Sequence, residues 1–200
     1  HEVKTVLQTI NLADKISIKT SSQLNIECTD PKLSGNKNLA WRAIEALGKF
    51  TGKAIRVEIL IRKHIPVGMG LGGGSSDAAT ILKTVNEICE LFLDDDALYS
   101  IGSSLGADVP FFLRGGTCLG NGIGDQITPL KDLKGLWVVL LIPTTQEMHA
   151  GLDAGGKTSR MYSMIRPANY TDGSLTIRLI DSLGKGQEIR PYQFNAFEIT

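Results

Sequence analysis

Cysteine is scarce in this chain and cannot build a framework. Cys28, Cys89 and Cys118 are odd in number, widely scattered and without Cys-x-x-Cys spacing. That argues against a disulfide scaffold or a zinc site and for reduced thiols in the cytoplasm. A surplus of one charge is also missing: Lys+Arg and Asp+Glu stand at 21 each, so no global basic field points to nucleic acid. No apolar run reaches the length of a membrane span, and Leu136 to Pro143 has only the length of a buried strand. No signal peptide opens the chain. His149 has no partner at metal-ligand spacing, and His64 reads as a solvated strand-end residue. What is present describes an ordinary globular protein. With 42% hydrophobic and 21% charged residues, 200 residues can bury one core and part of a second.

Periodicity outlines the scaffold. Thr5 to Ile10 and Ile16 to Thr20 read as strands with a turn near Asp14. Asn36 to Phe50 reads as a helix, with Leu39, Ala43, Ala46, Leu47 and Phe50 on one side and Gly52 ending it. Ile55, Val57, Ile59 and Ile61 alternate with Arg56, Glu58, Leu60 and Arg62, a mostly half-exposed strand signature. Ala78, Ile81, Leu82, Val85, Ile88, Cys89 and Phe92 recur at helical spacing, and Ala97 to Leu105 is a shorter helix. Asp94-Asp95-Asp96 between them reads as a solvated helix start. Thr117 to Ile127 suggests a glycine-punctuated hairpin, Trp137 to Ile142 a buried strand, and Lys157 to Ile165 and Ser174 to Leu183 two more helices. The polar run Lys131 to Gly135 suggests a boundary between residues 1–134 and 135–200. Together these elements indicate an α+β or α/β mixture.

The most informative stretch runs from Pro66 to Ser76, Pro-Val-Gly-Met-Gly-Leu-Gly-Gly-Gly-Ser-Ser, between a strand and a helix. Glycines let the backbone take positive φ and let another group approach closely. The free N–H groups at the following helix start then favour an anion. A Walker loop is excluded: Gly68 and Gly73 have its separation, but Gly74 and Ser75 stand where a lysine is required. A dinucleotide fingerprint fits formally at Gly68, Gly70 and Gly73 but lacks the acidic residue closing a second strand. Ser75 or Ser76 could cap the helix or touch a ligand, and both roles stay open. Asp77 suits the helix dipole and calls for no further role. Arg62-Lys63-His64 reads as a solvated strand end in preference to a phosphate-steering cluster. Asp108, in the apolar company of Val109-Pro110-Phe111-Phe112, has two readings. It is either a turn aspartate bonded to nearby backbone or a functional carboxylate.

A glycine-serine loop without lysine, opening a helix, resembles that of the GHMP small-molecule kinases. The likeness is closest to the 4-diphosphocytidyl-2-C-methyl-D-erythritol kinase family. It is carried by Pro66 to Ala79, by His1-Glu2-Val3 with the strands after it, and by Gly106-Ala107-Asp108-Val109-Pro110. Gly122-Ile123-Gly124-Asp125 and Asn195-Ala196-Phe197-Glu198 follow in the family's order. The resemblance implies a ribosomal-protein-S5-like N-terminal domain and a partial ferredoxin-like C-terminal domain. It also implies ATP and magnesium as cofactors and a cytidine diphosphate-linked methylerythritol as the small-molecule substrate, with no nucleic acid or membrane partner.

By the same resemblance, Pro66, Val67, Gly68, Met69, Gly70, Leu71, Gly72, Gly73, Gly74, Ser75 and Ser76 cradle the nucleotide, and Ser76 reaches the metal. Asp108 is the base or orienter at the acceptor hydroxyl, and His1, Thr158 and Tyr162 contact the substrate. Measured against the family, an N-terminal strand with its lysine is missing and a later glycine-rich motif would follow Thr200. The expectation is therefore an internal fragment with poor turnover of its own. Two alternatives accompany this reading: a GHMP kinase for a sugar or mevalonate-type alcohol, and a silent nucleotide-binding module.

Overall fold

The computed structural model describes residues 2–33, 35–36, 38–133, 135–142 and 161–199. Alternation in Lys15–Thr20 and Val57–Arg62 gives two strands, each with a branched apolar edge turned one way. They are β2 and β4 of a three-stranded sheet ordered β2-β4-β3, where β3 is Asn25–Cys28. β4 is central, antiparallel to β2 and parallel to β3. Its inward residues Val57, Ile59 and Ile61 are fully buried.

Two helices supply the apolar stripes that cover those residues. Helix α1 spans Leu39–Thr51; the Asn38 side chain accepts from the Ala40 amide at 2.9 Å, and Gly52 ends it at φ 68°. Helix α2 spans Gly73–Ile88 and presents Ala78, Ile81, Leu82 and Val85 to Ala40, Ala43, Ile44 and Leu47 of α1. Each large side chain so buried contributes about 2 kcal/mol by area removed from water. Helix α3, Asp95–Leu105, starts at Asp94, whose carboxylate accepts from the Ala97 amide at 2.9 Å. The acidic run is thus the helix start that its composition suggested.

A second sheet has the order β1-β5-β6, all antiparallel, from Thr5–Gln8, Thr117–Asn121 and Gln126–Pro129. Helix α5, Ser174–Lys185, reaches β1 through the Thr176 hydroxyl, which donates to the Lys4 carbonyl at 3.0 Å. Residues 161–164 are helical, and the rest of the helix expected from Lys157 lies outside the described residues.

Three expectations need correction. Trp137 to Ile142 is extended but belongs to no strand among the described residues, and Trp137 is 97% exposed. An apolar run reports that a segment seeks cover; it does not report where the covering strand is. Phe92 is not on the apolar face of α2 but 85% exposed, because the helix stops at Ile88 and Phe92 takes φ 56°. Phe50 is likewise more than half exposed, at the fraying end of α1. Two elements went unanticipated: strand β3, and a short helix α4 over Val109–Arg114 with proline in its first turn.

Candidate active site

The glycine-rich loop folds as its composition demands. Gly68, Gly70 and Gly72 have φ of 74°, 75° and 67°, the left-handed region that other residues rarely enter. Gly72 is itself the N-cap of α2, with no side-chain cap bond, and its carbonyl accepts the first helical bond from the Ser76 amide at 2.9 Å. A helix that begins this way leaves the amides of Gly73, Gly74 and Ser75 without intrahelical acceptors. Ser75 and Ser76 sit inside the first turn, so neither occupies the cap, and the capping role weighed for them belongs to Gly72. Three free amides and the positive end of a 16-residue helix lie at the end of the loop.

Close packing locks the loop against its surroundings. A Cβ on Gly72 would lie 2.6 Å from Cε2 of Phe112, so the ring of Phe112 rests on the loop backbone itself. A Cβ on Gly73 would lie 3.0 Å from Cγ2 of Ile65. Phe112 belongs to α4, which packs on α2. Asp108 is the N-cap residue of α4, four residues before Phe112 and hence on the same helical face one turn toward the N-terminus. The contact at Gly72 ties the helix that Asp108 opens to the loop.

Asp108 does not behave as the turn aspartate that its place before a proline suggested. Its φ and ψ are −82° and −16°, and its carboxylate makes no capping hydrogen bond. The side chain is open to solvent, yet protein on its flanks raises its carboxyl above the ordinary 3.8 by desolvation. A carboxylate that is accessible, unspent on capping and shifted toward greater basicity suits proton transfer.

Sequence reasoning missed a second cluster. Lys63, read as part of a solvated strand end, has a side chain only 9% exposed and bridges Asp14 and Asp77. Its Nζ donates to Asp14 Oδ2 and, at 2.7 Å, to Asp77 Oδ2. Asp14 Oδ1 also accepts from the amides of His64 and Ile65. Burial would raise Asp14, but Lys63 and these two amides outweigh it and hold the carboxyl below its usual value. For Asp77 burial wins: helped by the negative charge of Asp14 and only partly offset by Lys63, it lifts the carboxyl to about 6. Burial would lower Lys63, but its two carboxylate partners raise it instead. Asp77 is thus a buried ion-pair member and not a dipole ornament, whereas Arg62 and His64 are exposed as expected.

The signal for both residues was present. Inward positions 57, 59 and 61 of β4 continue to 63 by period two, and Asp77 precedes Ile81 and Val85 at helical spacing.

Of the expected substrate contacts, His1 and Thr158 lie outside the described residues. Tyr162 stacks edge-on against Phe197 with ring centroids 5.2 Å apart, which joins two separately matched segments. Among the described residues no group of three His, Cys, Asp or Glu could hold a metal by itself.

Residues 38–116 match the model of the GHMP kinases N terminal domain. A 4-diphosphocytidyl-2-C-methyl-D-erythritol kinase of Citrifermentans bemidjiense is 49% identical over 146 residues, 72% of this chain and 52% of the relative. One from Dehalococcoides mccartyi is 35% identical over 198 residues, 99% of this chain and 68% of the relative. A crystal structure of 4-(cytidine 5'-diphospho)-2C-methyl-D-erythritol kinase superposes with a TM-score of 0.73 at 30% identity, over 99% of this chain and 67% of that one. The chain spans about half the length of the first of these relatives.

Proposed function

Since the chain belongs to the 4-diphosphocytidyl-2-C-methyl-D-erythritol kinase family of GHMP kinases, we propose that its protein moves the γ-phosphoryl group of ATP to the 2-hydroxyl of 4-diphosphocytidyl-2-C-methyl-D-erythritol. The observation that carries this is the docking of the Asp108 helix on the glycine-rich loop through Phe112 and Gly72. It supports a reading in which the anion cradle faces the Asp108 carboxylate, which makes no capping bond in its own helix end.

Phosphoryl transfer to an alcohol needs positioning and charge neutralisation more than covalent chemistry. In this reading the amides from Gly68 to Ser75 hold the phosphate oxygens, helped by the α2 dipole. Asp108 accepts the hydroxyl proton as the alcohol oxygen bonds to the γ-phosphorus, and ADP leaves with the electrons of the broken bond. The rise of its carboxyl by desolvation favours that role. Magnesium would be held through the Ser76 hydroxyl, and among the described residues no cluster of three His, Cys, Asp or Glu competes for it. Once bound, it neutralises charge on the transferring group. Tyr162, with His1 and Thr158, is assigned to the cytidine end of the acceptor, where an aromatic face offers a stacking surface. A cytoplasmic setting belongs to the same proposal: Cys28, Cys89 and Cys118 are free thiols, and among the described residues no helix is long and apolar enough to cross a membrane.

The test is a substrate panel on the full-length protein. Phosphorylation of the cytidylated methylerythritol, with homoserine, galactose and mevalonate left unmodified, is the expected result. Turnover of one of the others in its place overturns the substrate assignment, and turnover of none overturns the kinase reading.

A further inference from the structure

The loop that the proposed reaction places around ATP is closed at its base by three buried charges that the reaction itself does not use. Lys63 stands just before the loop, at the end of β4, and Asp77 stands one turn inside α2, just after it. The 2.7 Å bond between them therefore spans the whole glycine-rich segment. Asp14, entering β2, fastens the near side: it takes Lys63 Nζ on one oxygen and the amides of His64 and Ile65 on the other. The Lys63 amide is held in addition by the Thr29 hydroxyl at 3.0 Å. On the far side, a Cβ at Gly73 would lie 3.3 Å from Lys63 Nζ, so the ammonium rests against the first residue of the helix.

Stability alone does not explain this arrangement. An ammonium beside a helix N-terminus opposes the helix dipole. Buried ionic triads can often be replaced by apolar groups at no loss of stability. What three charges supply and a methionine cannot is directional bonding to two separate chain segments. Both oxygens of Asp14 and one of Asp77 point at donors on the loop's entry.

Resting on the reading of this loop as an ATP site, we propose that Lys63 is a positioning residue. Its ammonium, bridging Asp14 and Asp77, ties the strand end entering the loop to the helix leaving it. That tie holds the loop amides at the spacing a triphosphate requires. Lys63 acts through the loop backbone and does not itself touch the transferred group.

The experiment measures ATP affinity by calorimetry and steady-state kinetics in the full-length protein, its Lys63→Met and Asp77→Asn variants, and the double variant. Asp77→Asn keeps the shape and one acceptor oxygen, so it remains informative if Lys63→Met fails to fold. Expected is a roughly tenfold loss of ATP affinity in each single variant and no further loss in the double, as for two ends of one tie. KM for ATP rises with it while KM for the alcohol stays within about twofold, a split that general loosening of the fold does not produce. Unchanged ATP affinity in folded Asp77→Asn overturns the proposal. So do additive losses, or a fall in kcat at unchanged ATP affinity, which would mark Lys63 as a contact to the reacting phosphate. Wild-type protein that binds ATP but phosphorylates no alcohol would remove the reaction proposed above and leave this inference standing.

Discussion

The ring of Phe112 occupies the space that a side chain on Gly72 would need, with Cε2 at 2.6 Å and Cζ at 2.7 Å from a Cβ built there. Gly72 also has φ 67°, so its lack of a side chain is required twice, by conformation and by contact. Gly72→Ala is expected to cost about 2–4 kcal/mol, combining left-handed backbone strain with overpacking. It should also weaken ATP binding at least tenfold. Urea denaturation and calorimetry check this. Adding Phe112→Ala should restore the contact share of the loss and not the backbone share; strict additivity of the two changes would count against the contact.

Asp108 is the group whose removal should separate binding from turnover. Asp108→Asn is expected to keep ATP affinity within about threefold and to lower kcat by roughly 10²- to 10⁴-fold, the range for loss of a general base. Because desolvation raises its carboxyl above 3.8, the acid limb of kcat in the wild type should fall at higher pH than an ordinary aspartate would give. That limb should vanish in the variant's residual activity. Unaltered turnover in Asp108→Asn would take the residue out of the chemistry.

Asp77 makes a prediction about stability with a definite sign. Its folded carboxyl is raised from 3.8 to about 6, so between those values the native chain holds a proton that the unfolded chain has released. Its contribution is therefore present at low pH and lost as pH rises through that window, by an amount on the order of 1–3 kcal/mol. Asp14 has the opposite sense: lowered when folded, it contributes above 3.8 and is lost only in stronger acid. Lys63, raised from 10.5, loses its share only in alkali. Asp77→Asn should accordingly be more stable than wild type at pH 8 and by a smaller margin at about pH 4.5, the difference closing only below 3.8. Denaturation at the two pH values decides it, and a variant less stable at pH 8 would contradict the assignment.

Asn38 tests the scaffold beneath the site. Its Oδ1 caps α1 at the Ala40 amide and its Nδ2 donates to the Leu33 carbonyl at 2.7 Å, so one side chain anchors both the helix and the turn before it. Asn38→Ala should cost about 1–2 kcal/mol, near the top of the range for a lost cap. Asn38→Asp, which keeps the cap but not the donor, should lose less. Thermal unfolding distinguishes the two.

Much of this was legible in the residues. The alternation of β2 and β4, the caps at Gly52 and Asp94, and the glycine loop opening α2 are local features. They follow from side-chain period, capping chemistry and the φ that only glycine tolerates, none of which needs a distant partner. Lys63 and Asp77 were misjudged for an instructive reason. Each continues an apolar period, but charge was taken as a sign of exposure, although a charge paired across the fold can be buried.

What chain order determined, then, was the cradle: positive-φ glycines and free amides at a helix start, written within a dozen consecutive residues. What tertiary structure decided was company. The helix that Asp108 opens is tied to the loop through Phe112 on Gly72, and Lys63 finds Asp14, 49 residues before it, only because β2 pairs with β4. Trp137 to Ile142 shows the same division from the other side, apolar by composition yet without a pairing strand among the described residues. Backbone conformation is governed by neighbours along the chain, whereas burial, ion pairing and the shift of a carboxyl depend on groups that only folding brings together.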